Sequence, residues 1–226
     1  MKGKNIVLIG GNSGIGLATS ELLQASGANV YKYSKSGVGT HQFDVTKEFL
    51  ELPELPDVVD GLVYFPGTIN LKPFHRISIQ DFQNEMDVNF FGAIRVLQAC
   101  LKGLKRSDSA SVVLFSTVAV QTGMGFHSGI ASSKGAIEGL CRSLAAEWAP
   151  SKIRVNAIAP SLTDTPLASA LLSNEEKREA SGKRHPLGRI GNPLDIAEAT
   201  HFLLSSKSSW MTGQVLHVDG GISNLK

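Results

Sequence analysis

Ile9-Gly10-Gly11-Asn12-Ser13-Gly14-Ile15-Gly16 stands between an apolar, β-branched run at residues 5–9 and a stretch at 15–25 with apolar residues at helical spacing. Its glycines serve different physical needs. Gly10 permits a tight turn, Gly14 lets backbone approach a pyrophosphate, and Gly16 lets the helix pack on the strand. Unpaired N–H groups at the helix start would face the anion. Gly10, Asn12, Ser13, Gly14, Ile15 and Gly16 are therefore the candidate dinucleotide loop.

Working outward, strand-like and helix-like segments alternate to the end of the chain. Strands are expected at 29–33, 41–43, 61–65, 111–115, 153–158 and 214–218, and helices at 15–25, from Ser78 onward, at 130–148 and at 194–204. Ser78 can cap the second of these, with Asp81 near its N-terminal dipole, and Ser128 can cap the third. Such alternation predicts an α/β fold: a doubly wound, Rossmann-like parallel sheet in a three-layer αβα arrangement, one domain over 1–226. Residues 165–188 are the least regular stretch, read either as a flap over a site or as a surface excursion. Only 34–40 separates the second and third strands, whereas a parallel crossover normally needs a dozen or more residues. Either the covering helix is missing or shrunken, or the third strand is misplaced.

Composition excludes several classes. The 226 residues carry a formal net charge of +2 and no basic run, which argues against a nucleic-acid surface. Two cysteines, Cys100 and Cys141, make no disulfide framework and match no metal motif, so no metal is expected. The opening apolar run is too short for a signal core or a membrane span. A cytoplasmic protein acting on a small molecule, without nucleic acid or membrane, is the expectation.

The spacing Gly10-x-x-x-Gly14-x-Gly16 resembles that of the short-chain dehydrogenase/reductase family, with Ile9 where threonine is usual. Further matches are Asp44-Val45, Val88-Asn89, Lys134, Val155-Asn156-Ala157-Ile158-Ala159-Pro160 and Asp219-Gly220-Gly221, so the resemblance runs from about Lys4 to Gly221. It implies a nicotinamide cofactor. An acidic residue at the end of the second strand would bind both ribose hydroxyls; this chain has Ser34-Lys35-Ser36, a cation and two hydroxyls suited to a 2′-phosphate. NADP(H) is accordingly favoured over NAD(H). By resemblance Asp44 and Val45 lie at the adenine, and Pro160, Leu162 and Thr165 at the nicotinamide end. Gly67 is what remains of the family's Asn-Asn-Ala-Gly in Tyr64-Phe65-Pro66-Gly67, and Ser161 replaces the usual glycine after Pro160.

The same resemblance implies a catalytic set of asparagine, serine, tyrosine and lysine. Asn89 and Lys134 are present, and Lys134 would also bind the nicotinamide ribose. Thr117 falls where the serine should be, with Ser116 the alternative if the loop shifts by one. The tyrosine position, four residues before Lys134, holds Ile130, which can neither give nor take a proton. The three tyrosines, Tyr31, Tyr33 and Tyr64, fall on the adenosine side. His127, seven residues before Lys134, shares roughly its helix face and could handle a proton near neutral pH. Two functions follow. One is an NADP(H)-dependent oxidoreductase working on a carbonyl or enone, its proton supplied by His127, by a water near Asn89 or by the substrate. The other is a catalytically impaired NADP(H)-binding sensor or subunit. Family members pair through long helices, so a homodimer or homotetramer is implied.

Overall fold

A computed structural model describes residues 1–49 and 51–225. Seven parallel strands form one sheet: β1 (Asn5–Ile9), β2 (Asn29–Ser34), β3 (His41–Gln42), β4 (Gly61–Tyr64), β5 (Ala110–Phe115), β6 (Ile153–Pro160) and β7 (Val215–Val218). Their spatial order is β3-β2-β1-β4-β5-β6-β7. The helices are α1 (Gly14–Ala25), α2 (Ile79–Met86), α3 (Gly92–Arg106), α4 (Ala119–Thr122), α5 (Ser128–Trp148), α6 (Glu175–Lys183) and α7 (Pro193–Leu204).

Both faces of the sheet are covered, and the strands read that way. Every residue of β4 and β5 is buried, as expected where apolar side chains leave both faces. Val7, Leu62, Val112 and Val155 pack with Val96, Leu97, Ile137 and Cys141 of α3 and α5. Ile6, Leu8, Val63 and Val113 pack with Leu23, Ile196 and Leu203 of α1 and α7. The two free cysteines are buried, and burial pushes each thiol up to about 12. Strand order reverses between β1 and β4, and the crevice beyond their carboxyl ends is where such folds bind ligands.

The short link after β2 is real. β3 pairs only at Tyr33↔His41 and Ser34↔Gln42, so the chain retraces two residues of strand. Turns at Gly37 and Gly39, both with positive φ, accomplish that without a helix. The dozen-residue expectation applies to a crossover that returns along a full strand.

Three readings need correction. Residues 165–188 contain a helix, α6, capped by Asn174, whose side chain accepts from Lys177 N. Its charged sequence lacks an apolar stripe, so periodicity gave no sign of it. Helix α5 begins at Ser128, so its N-cap is His127 and not Ser128; the Ser128 hydroxyl is buried without a partner. The helix begun by the Ser78–Asp81 capping box is interrupted by a π turn at Asp87–Phe91 before continuing as α3. Such turns often mark functional positions, and this one carries Asn89.

Candidate active site

The glycine loop has the geometry its sequence requires. Gly10 has φ +83°, and a Cβ on Gly16 would overlap the Gly10 carbonyl oxygen. Ser13 is the N-cap of α1 but makes no side-chain cap bond, so the first amides of this helix stay available for an anion. Thr165 closes the other side: a Cβ on Gly14 would lie 3.1 Å from its Cγ2.

The adenosine side is organised around the end of β2. Asn12 Nδ2 donates to Ser36 Oγ at 2.7 Å, which joins the glycine loop to the serine–lysine turn. Ser34 is buried, and its hydroxyl is held by Thr40 Oγ1 at 2.6 Å, so Ser36 and Lys35 are the groups facing outward. Lys35 Nζ lies 3.4 Å from Asp44, with its side chain 82% exposed, a weak and readily exchanged pair. Asp44 also accepts from Thr46 N and Oγ1, and these bonds hold its carboxyl below the usual range. Val45 is buried in the core, and its carbonyl accepts from Arg95.

Beside the loop, a cavity of about 350 Å³ opens at the carboxyl edge of the sheet. Ile15, Gly67, Ser116, Thr117, His127, Ile130, Lys134, Pro160, Leu162 and Thr165, each selected from sequence, line it. Phe65, Ile69, Leu71, Met124 and Leu167 make much of the remaining wall apolar. Residues of the 165–188 stretch, including Ala168, Leu171, Arg184 and His185, contribute to its lining.

The two candidate hydroxyls differ in their partners. Ser116 Oγ donates to Glu138 Oε1 at 2.7 Å and is therefore engaged, whereas Thr117 Oγ1 only accepts, from Ala119 N at 3.3 Å. The Thr117 proton remains available to a substrate oxygen. His127 Nδ1 lies 2.6 Å from the Gly125 carbonyl; a carbonyl only accepts, so Nδ1 carries the proton and Nε2 is the free ring nitrogen. Tyr33 and Tyr64 do not line the cavity: their hydroxyls donate to the carbonyls of Pro53 and Val88 at 2.8 and 2.5 Å. Burial raises both phenols above the ordinary range.

Lys134 is 5% exposed. Burial draws its ammonium from the usual 10.5 down to about 8, while the charge of Glu85 opposes the fall. Glu85 is a functional candidate that the sequence reading missed. It is 2% exposed, accepts from the Thr68 hydroxyl, and accepts from Asn89 Nδ2 at 2.9 Å. Asn89 Nδ2 also reaches the Glu85 carbonyl at 2.8 Å and Thr68 Oγ1 at 3.0 Å. Asn89 Oδ1 is buried with no partner. A Cβ on Gly67 would meet both Asn89 Oδ1 at 3.4 Å and Lys134 Nζ at 3.6 Å, so these two polar atoms flank one patch of backbone. A signal for Glu85 existed: it stands four residues before Asn89, on the same helical face.

The residues present fit a nicotinamide dinucleotide: uncapped helix amides for the pyrophosphate, a buried cation for a ribose, and an unpartnered amide oxygen beside it. Fold and site thus define a dinucleotide-binding protein of the Rossmann class, with a lysine-centred cavity at the switch point. A family profile described as "Enoyl-(Acyl carrier protein) reductase" matches residues 40–223. The chain is 34% identical to a tropinone reductase homolog of Arabidopsis thaliana, over 99% of this chain and 94% of that protein. Among solved structures, Thermoplasma acidophilum aldohexose dehydrogenase superposes with a TM-score of 0.89 at 29% identity, over 98% of this chain and 94% of that one. A putative NAD(P)-dependent gluconate 5-dehydrogenase from Beutenbergia cavernae, with bound NADP, gives 0.91 at 28%, over 98% and 97%. The chain belongs to the short-chain dehydrogenase/reductase family of oxidoreductases.

Proposed function

We propose that this protein is an NADP(H)-dependent oxidoreductase that interconverts a carbonyl or enone and its reduced form, with a proton donor other than tyrosine. The observation carrying this reading is a cavity that holds Lys134 and Thr117 beside the glycine loop while Ile130, 7% exposed, occupies part of the wall. A bound nicotinamide would supply or accept the hydride. The protein's part is to bind and orient. The α1 amides would take the pyrophosphate, Ser36, Lys35 and Asn12 the 2′-phosphate, and Lys134 the nicotinamide ribose. Thr117 would donate to the substrate oxygen. The apolar wall favours a substrate with a hydrophobic body and excludes water from the reacting carbon.

His127 at the cavity rim and the polar cluster around Asn89 are the two protein-borne routes for the proton. Losing a general acid costs about 10²–10⁴-fold, so a site that lacks its phenol can still turn over. A second reading, a cofactor-holding sensor or subunit, is favoured by Ile130 alone.

The test is to titrate NADPH and NADH into the protein, then follow NADPH oxidation against ketones, quinones and enones. NADPH binding tighter than NADH, with turnover of at least one class, supports the first reading. Tight binding without turnover selects the second, and no binding of either dinucleotide refutes both.

A further inference from the structure

Glu85 is a buried carboxylate with no salt-bridge partner within 4 Å among the described residues. Burying a carboxylate this fully is costly unless hydrogen bonds hold it, and here they come from Thr68 and Asn89. Thr68 belongs to the cavity wall, so the carboxylate is one hydroxyl removed from the substrate space. The helix across from it has made room. A Cβ on Gly129 would come 3.4 Å from Glu85 Cγ and 3.0 Å from Ile77 Cδ1, so any larger residue beside Ile130 would press on the glutamate. An acid with a hydroxyl in front of it therefore packs against Gly129, the residue before Ile130, and that hydroxyl shares the cavity wall with Ile130.

We propose that Thr68 and Glu85 form the proton relay of this site, Thr68 touching the substrate oxygen and Glu85 exchanging the proton behind it. This rests on the oxidoreductase reading above. In the oxidative direction the alcohol O–H proton passes to Thr68 Oγ1 as Thr68's own proton passes to Glu85 Oε2. The alcohol C–H bond breaks, its electron pair leaving as hydride to oxidised nicotinamide, and the C=O bond forms. The Thr68-to-Glu85 hydrogen bond already points in this sense. Reduction reverses each transfer: hydride reaches the carbonyl carbon, Thr68 gives its proton to the oxygen, and the Glu85 acid restores it. Asn89 Nδ2 holds both oxygens of the relay in place, at 2.9 Å from Glu85 and 3.0 Å from Thr68. Lys134 of α5 is the charged group whose field acts with Glu85. Thr68, Asn89 and Gly129 are neutral, and on α2 itself Asp81 is paired with Lys72 at 2.8 Å.

The experiment uses E85Q, T68V, T68S and H127A, all in the full chain. Steady-state oxidation of NADPH by the best ketone or enone of the panel is measured across pH. E85Q and T68V are expected to lose about 10²-fold in kcat and the limb of the pH profile that reports the acid, and T68S to recover most of both. A second readout needs neither cofactor nor turnover: the titration of Lys134 by NMR on protein carrying isotope-labelled lysine. Removing the Glu85 charge should move that titration below its value of about 8 in the parent. Turnover that survives E85Q with an unchanged pH profile and falls in H127A gives the proton to His127 and overturns the relay alone. An unchanged Lys134 titration in E85Q also overturns it. A parent protein that binds NADPH but turns over no substrate overturns the relay and the oxidoreductase reading together.

Discussion

Ile130 and Lys134 lie one helical turn apart on α5, and both line the same cavity. On the proposed reading, a phenol one turn before the lysine would be the proton donor, and the hydrocarbon of Ile130 stands there. That reading predicts a gain when a phenol is supplied. Ile130→Tyr should raise kcat for ketone reduction by roughly tenfold or more, since a correctly placed general acid is worth about 10²–10⁴-fold. Stopped-flow or steady-state NADPH oxidation reads the gain directly. A folded variant with no increase would mean that proton supply does not limit the rate.

Cofactor choice should be separable from cofactor binding. Ser36 is tied to Asn12, and Lys35 is exposed beside it, held only by a weak pair with Asp44. The double variant Lys35→Ala/Ser36→Ala should weaken NADPH by about tenfold while NADH shifts by less than about twofold. Fluorescence titration with the two dinucleotides decides it, and equal losses for both would discard the 2′-phosphate assignment.

Lys134 should leave a mark on stability as a function of pH. Its folded pKa, about 8, lies below the usual 10.5 of the unfolded chain, so between these values the unfolded state binds more protons. Stability from this group therefore rises as pH climbs from about 8 to 10.5, and its penalty is complete below 8. The shift corresponds to at most about 3 kcal/mol. Calorimetry of the parent against Lys134→Met should show the Tm difference, variant minus parent, shrinking across that window. A difference that is flat or widens would contradict a depressed lysine.

Gly16→Ala should fail at the fold before it fails at the cofactor. Its added methyl would overlap the Gly10 carbonyl, which belongs to the backbone of the loop and cannot rotate away. A cost of about 3 kcal/mol and a fall in Tm of roughly 6–12 °C are expected, together with loss of NADPH binding. An unchanged Tm would show that the loop is looser than its packing implies.

The alternation of strands and helices, the glycine loop and the place of Lys134 and Thr117 on one cavity were legible in the chain. These depend on local spacing: the 3.6-residue and two-residue periods, and a turn that only glycine allows. The α6 helix was not, because a solvated helix without an apolar stripe leaves no periodic trace. The cap of α5 was misread by one residue for a related reason. Ser128 is a good capping residue by type, but Gly125 holds His127 at the helix start and the Ser128 hydroxyl turns inward.

By itself, then, the sequence determined a dinucleotide-binding fold and placed Ile130 one turn before Lys134, since each is written in single residues and short spacings. Only the tertiary structure decided which polar groups are free to act. Ser116 is engaged by Glu138 from α5, Ser34 by Thr40, and both buried tyrosines by backbone carbonyls, while Glu85 and Thr68, from a helix and a loop far from Lys134 in the chain, meet beside it. Hydrogen-bond partners and burial belong to the packed chain, and they set which proton can move.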